Sequence, residues 1–133
     1  MSANPMDVQV GGDHYKNDKI QHAEFSHANG LPYIVANTLK YVMRHRKKNG
    51  RQDLDKAKHY LQIAAELDLR YKQPRSLKMN MPIRPVQLIV ANGIPPEEAE
   101  IIYNVMRYHE WEDDDALHRA IDLIENLSRA TYL

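Results

Sequence analysis

Apolar residues recur at three- and four-residue intervals through most of this chain, the period of amphipathic helices. In LPYIVANTLKYVMRHRKKNG, residues 31–50, a step of about 100° per residue sets Val35, Thr38, Leu39 and Val42 on one face. Asn37, Lys40, Tyr41, Arg44 and Lys48 fall on the opposite face. The same reading predicts three helices in each half of the chain. The first pair spans about residues 20–29 and 83–92, and both end at Asn-Gly, where a left-handed residue can close a helix. Pro32 and Pro95 follow, suited to the first turn of a second helix that runs to about Lys48 or Trp111. Third helices start near Asp53 and Asp114, whose carboxylates favour helix N-termini. The fold class predicted is all-α.

Laying residues 20–62 over 83–125 without a gap gives identical residues at 11 of 43 positions, among them Ala28, Asn29, Gly30, Pro32, Val42, Met43 and Arg44. Most shared columns are apolar, so the pattern reads as a tandem duplication of a three-helix unit that chiefly encodes a core. The predicted organisation is an extended N-terminal arm over 1–18, a first repeat over 19–71, a linker over 72–82 and a second, degenerate repeat over 83–133. The second copy is expected to serve as scaffold and oligomer interface, with Trp111 at a junction.

Composition narrows the function classes. Charged residues are 27% and apolar ones 43%, no apolar run approaches a membrane span of about 18 residues, and the N-terminus lacks the parts of a signal peptide, so a soluble, cytoplasmic protein is expected. With Cys 0, disulfides and thiolate metal sites are excluded. The formal net charge is +0, but residues 1–70 carry 11 Lys+Arg against 8 Asp+Glu and residues 71–133 carry 7 against 10. That balance argues against duplex nucleic acid as a partner and leaves room for a local anion site.

The candidate for such a site is the basic face of the second helix. Cations near a helix C-terminus are commonly solvated charges that interact with the macrodipole, each worth about 0.3–1 kcal/mol. The basic segment could also dock on the acidic EWEDDD at 110–115, within the chain or between subunits. Neither account explains why Lys40 and Tyr41 stand mid-helix beside Arg44. A ladder of donors with an aromatic ring offers charge for a phosphate and a π-face for a base. His14 and Tyr15 follow Gly11-Gly12 and add a donor and a ring. The other histidines show no metal-ligand spacing and no GxxxxGK[ST] loop occurs. Glu97, Glu100, Asp122 and Glu125 give i,i+3 carboxylates on two helices, an alternative that loosely resembles the magnesium sites of all-α nucleoside-triphosphate pyrophosphohydrolases.

An ordered string supplies more. His14-Tyr15, Ile20-Gln21, Glu24, Asn37-x-Leu39-Lys40-Tyr41, Arg44, Lys47-Lys48-Asn49-Gly50, Asp53-Leu54-x-Lys56-Ala57 and Tyr60-Leu61 resemble a small tailed-phage family. It is typified by the P-loop-less nucleotide kinase of short-tailed coliphages. The resemblance covers about residues 13–63 and implies a phage protein that handles nucleotides in the host cytoplasm as a homo-oligomer. Its kinase members phosphorylate deoxynucleoside monophosphates. Here Ala36 replaces the usual glycine, and no magnesium carboxylate other than Asp13 or Asp53 stands near the cations. The expected ligand residues are His14, Tyr15, Asn37, Lys40, Tyr41, Arg44, Lys47 and Lys48. The expected function is a non-catalytic nucleotide sponge that sequesters cyclic or modified nucleotide immune signals of the host. It needs no cofactor and no metal, whereas the kinase alternative requires Mg with ATP.

Overall fold

A computed structural model describes residues 4–7, 18–71 and 81–132. His14, Tyr15, most of the predicted arm and most of the predicted linker lie outside the described residues. The described chain is all-α, with six α-helices and no strand. They are α1 (His22–Ala28), α2 (Tyr33–Arg44), α3 (Arg51–Tyr71), α4 (Pro85–Asn92), α5 (Pro96–Trp111) and α6 (Asp114–Tyr132). Short 3-10 turns stand at Pro5–Asp7 and His45–Lys47. No helix among the described residues is long and apolar enough to cross a membrane.

Four helices close a ring: α2 packs on α3, α3 on α6, α6 on α5 and α5 on α2. The short helices α1 and α4 lean on α2 and α5. Val35, Thr38, Leu39 and Val42 are buried, as the periodicity of α2 predicts, and Leu54, Ala57 and Leu61 of α3 meet them in the core. From the second half come Ile102, Val105, Met106, Ala120 and Ile124. A Leu or Ile removed from water at such sites contributes about 1.5–3 kcal/mol. Thr38 is polar yet fully buried, because its hydroxyl donates to the Ile34 carbonyl one turn back at 2.9 Å.

The helix ends follow from their residues, with two shifts from expectation. Gly30 and Gly93 take φ of 61° and 60°, the left-handed closure predicted at both Asn-Gly pairs. Pro32 and Pro95 stand one place before their helices rather than in the first turn. Their carbonyls accept the first helical bonds from Ala36 and Ala99, both at 2.9 Å. The second shift is at the end of α2, which stops at Arg44 instead of reaching Lys48 and tightens into the 3-10 turn.

A paired clasp joins the two halves. The Asn29 side chain donates to the Ile83 carbonyl at 2.7 Å and accepts from its N–H at 3.2 Å. Asn92 does the same to Ile20, at 2.6 and 2.8 Å. The amide that ends each short helix thus fastens the chain entering the other short helix. The offset of 63 read from the sequence relates both members of the clasp (83 − 20 and 92 − 29).

Gly50 turns the chain from the 3-10 segment into α3 at φ 55°, and its N–H donates to the His45 carbonyl at 2.8 Å. A Cβ there would meet the Tyr132 ring at 3.1 Å. Gly50→Ala is therefore expected to cost at least about 1–2 kcal/mol for the left-handed backbone, before any crowding of Tyr132. A denaturant midpoint equal to that of the parent protein would refute this.

Candidate functional site

The exposed side of α2 and the facing side of α3 hold a group of rings and cations. Tyr41 and Tyr60 stack with centroids 6.0 Å apart and planes 13° apart. Tyr33, 71% exposed, meets Tyr60 edge-on at 6.0 Å. The Tyr33 and Tyr60 hydroxyls lie 3.4 Å apart. That hydrogen bond, helped by burial, pushes the Tyr60 phenol up to about 12, so it remains a neutral donor at physiological pH. Around the Tyr41 ring gather Lys40 at 4.5 Å, the Arg44 guanidinium at 4.7 Å and Lys56 at 5.2 Å from its centroid. A tyrosine face attracts cations through its quadrupole, which holds these positive charges together.

The cations are not equivalent. Arg44 is clamped by a carboxylate: its Nε donates to Asp53 Oδ2 and its Nη2 to Asp53 Oδ1, both at 3.1 Å. Asp53 is fully buried and also accepts the Asn49 N–H at 3.2 Å. Arg44 therefore arrives with its charge largely compensated and the Asp53 carboxylate is engaged by protein donors. Lys40 and Lys56 have no ion-pair partner among the described residues. These two lysines carry the uncompensated charge of the face.

The remaining expected ligand residues divide. Asn37 is half-buried on this face, with its amide donating to the Tyr33 carbonyl at 2.8 Å. Lys48 is exposed at the end of the 3-10 turn. Lys47 turns away: its Nζ pairs with Asp18 at 3.1 Å beside a separate small cleft bounded by Asn92, Pro95 and Glu98. The 3-10 turn breaks the 100° spacing on which a ladder continuous to Lys48 depended. The sequence reading missed Tyr33, Lys56 and Tyr60 as members of the face. For Lys56 and Tyr60 the signal was available, since both stand in the same ordered string as Tyr41 and Arg44; Tyr33 stands outside it.

Behind the face, His45 links the halves. The His45 ring is buried, with Nε2 3.0 Å from Glu98 Oε2 and Nδ1 2.6 Å from the Tyr132 hydroxyl. Arg46 also donates to Glu98, Nη2 to Oε1 at 3.2 Å. Burial opposes ionisation of Glu98, but the hydrogen bonds and charges of His45 and Arg46 outweigh it and hold the carboxyl at about 2. An ionised carboxylate can only accept, so His45 Nε2 carries its proton. The basic run is thus tied to Glu98 and Asp18, and among the described residues no ion pair joins it to residues 110–115. The acidic segment has its own partner, Arg107 with Asp113 at 2.8 Å.

Two of the four carboxylates of the pyrophosphohydrolase alternative are engaged in ion pairs. Glu100 pairs with Arg119 at 2.7 Å and Glu125 with Lys58 at 3.5 Å. No group of three or more His, Asp or Glu that could hold a metal ion occurs among the described residues.

A search of curated proteins and a search of solved structures each return no match. A family model described as a protein of unknown function, DUF3310, matches residues 10–62. The matched stretch contains Tyr33, Lys40, Tyr41, Arg44, Asp53, Lys56 and Tyr60, every residue of the ring-and-cation face.

Proposed function

We propose that this protein binds a nucleotide on the α2–α3 face and holds it without turnover, as a sponge for cyclic or modified nucleotide immune signals of a phage-infected host. The observation that carries the binding reading is the pair of uncompensated lysines, Lys40 and Lys56, brought from two helices onto one tyrosine ring. Phosphate would take the lysines, and Tyr33 offers its exposed ring to a base. Tyr41 acts as the hub that gathers the cations, since Tyr60 already stacks on it. The absence of turnover is supported by the state of Asp53, which is spent on Arg44 and the Asn49 amide. A sponge working at micromolar signal levels needs nanomolar affinity, about −12 kcal/mol, which a site shared between subunits of a homo-oligomer would help supply.

The test is mass spectrometry of small molecules released by heat from protein soaked in cyclic and linear nucleotides. Intact ligand should be recovered at up to one equivalent per site. Removing a charged phosphate contact costs about 1.5–3 kcal/mol, so Lys40→Ala and Lys56→Ala should each weaken binding at least about tenfold. Unchanged affinity in both variants would sink the site. The second reading, a P-loop-independent deoxynucleoside monophosphate kinase, is favoured by the motif string over residues 13–63. It requires diphosphate to appear when the protein meets magnesium, ATP and a deoxynucleoside monophosphate.

A further inference from the structure

The cleft between α4 and α5 occupies the opposite half of the molecule from the ring-and-cation face. Its volume is about 640 Å³, inside the range of roughly 300–1,000 Å³ usual for small-molecule sites. Two large rings border it, Tyr103 at 45% and Trp111 at 58% exposure. Met81, Val86 and Met106 supply apolar wall, and Asn104 and Glu110 add an amide and a carboxylate. Arg84 and Arg107 bring two guanidinium groups. Arg107 is paired with Asp113, whereas Arg84 has no ion-pair partner among the described residues.

Sixty-three positions on, Tyr41 corresponds to Asn104, an amide at this cleft where the first half has a ring. Lys40 and Lys48 correspond to Tyr103 and Trp111. At these two positions the second half carries rings where the first carries cations.

We propose that this cleft is a second binding site, taking a nucleobase-bearing anion of mononucleotide size, with Trp111 and Tyr103 against the base and Arg84 on the phosphate. Every base has a π-face that an aromatic ring can cover, and a guanidinium matches phosphate with two parallel N–H bonds. An amide and a carboxylate suit the donor and acceptor edge of a base, which a fatty anion lacks. The site shares no residue with the α2–α3 face and does not rest on the reading given to that face.

Trp111 is the single tryptophan of the chain, so its emission reports this cleft directly. Titration with deoxyguanosine and deoxyadenosine 5′-monophosphate should quench Trp111 saturably, while deoxyribose 5-phosphate, which has no aromatic base, should not. Arg84→Ala, an exposed change, should raise the half-saturation concentration at least about tenfold, and Arg70→Ala, at an exposed pair with Glu66, should leave it unchanged. Far-ultraviolet circular dichroism checks that both variants stay folded. No saturable quenching up to millimolar nucleotide, an unmoved half-saturation in Arg84→Ala, or quenching by the sugar phosphate alone would each overturn the proposal. So would emission that shifts with protein concentration together with self-association in sedimentation, which would make the cleft an interface between copies. A nucleotide held only on the α2–α3 face leaves Trp111 emission unchanged, so the two sites fail separately.

Discussion

Arg44→Ala is expected to destabilise the protein by about 3–5 kcal/mol, because it strands a carboxylate that has no exposure to water. The Asp53 side chain is 0% exposed and that of Arg44 11%. Removing the guanidinium deletes its two hydrogen bonds to Asp53 at 3.1 Å and, among the described residues, leaves the Asn49 amide to hold a buried charge. Loss of the whole pair is milder than loss of one partner, so Arg44→Ala with Asp53→Ala should recover part of the stability. Urea unfolding of the three variants measures this coupling. A single variant as stable as the parent would show that water reaches Asp53. A nucleotide-binding defect in Arg44→Ala would therefore report folding first, and Lys40 and Lys56 are the residues on which to read ligand contact.

Glu98 should make the protein acid-labile in a defined window. Its folded value of about 2 lies below the ordinary 4.5, so the unfolded chain binds the proton more readily. The stability it contributes is complete above pH 4.5 and is lost as pH falls through about 2. At about 1.4 kcal/mol per unit the loss is of order 3 kcal/mol. Glu98→Gln should start less stable at neutral pH and show a flatter pH dependence across this window. The check is chemical denaturation at pH steps between 5 and 2. Identical slopes for parent and variant would dismiss Glu98 as the origin of the acid response. The effect would be felt across the molecule, since His45, Arg46 and Tyr132 belong to the same network.

The sequence made some of this legible for reasons of geometry. Val35, Thr38, Leu39 and Val42 follow from a single helical period, and Gly30 and Gly93 from the steric freedom that left-handed closure needs. What stayed hidden lies across turns. Arg44 and Asp53 are nine positions apart with a 3-10 turn between them, so no periodicity brings them together. His45 reads as one more residue of a basic run until the shortened α2 buries it, and its partners Glu98 and Tyr132 are 53 and 87 positions away. Tyr41 was legible as a ring beside cations, but its stacking on Tyr60 depends on how α2 packs against α3. Lys47 joins the expected ligand residues through the Lys47-Lys48-Asn49-Gly50 motif and is set apart by its pairing with Asp18.

The asparagine clasp bears on how the chain folds. Its bonds span 54 and 72 positions, and each half supplies one of the two amides and one of the two receiving backbones. A half folded alone leaves its amide and its entering strand of backbone without these partners, at a cost of about 1–3 kcal/mol for each group kept from water. Neither half is then a favourable resting point, and the two order together. The clasp makes the molecule one cooperative unit, reached only after long loops have closed.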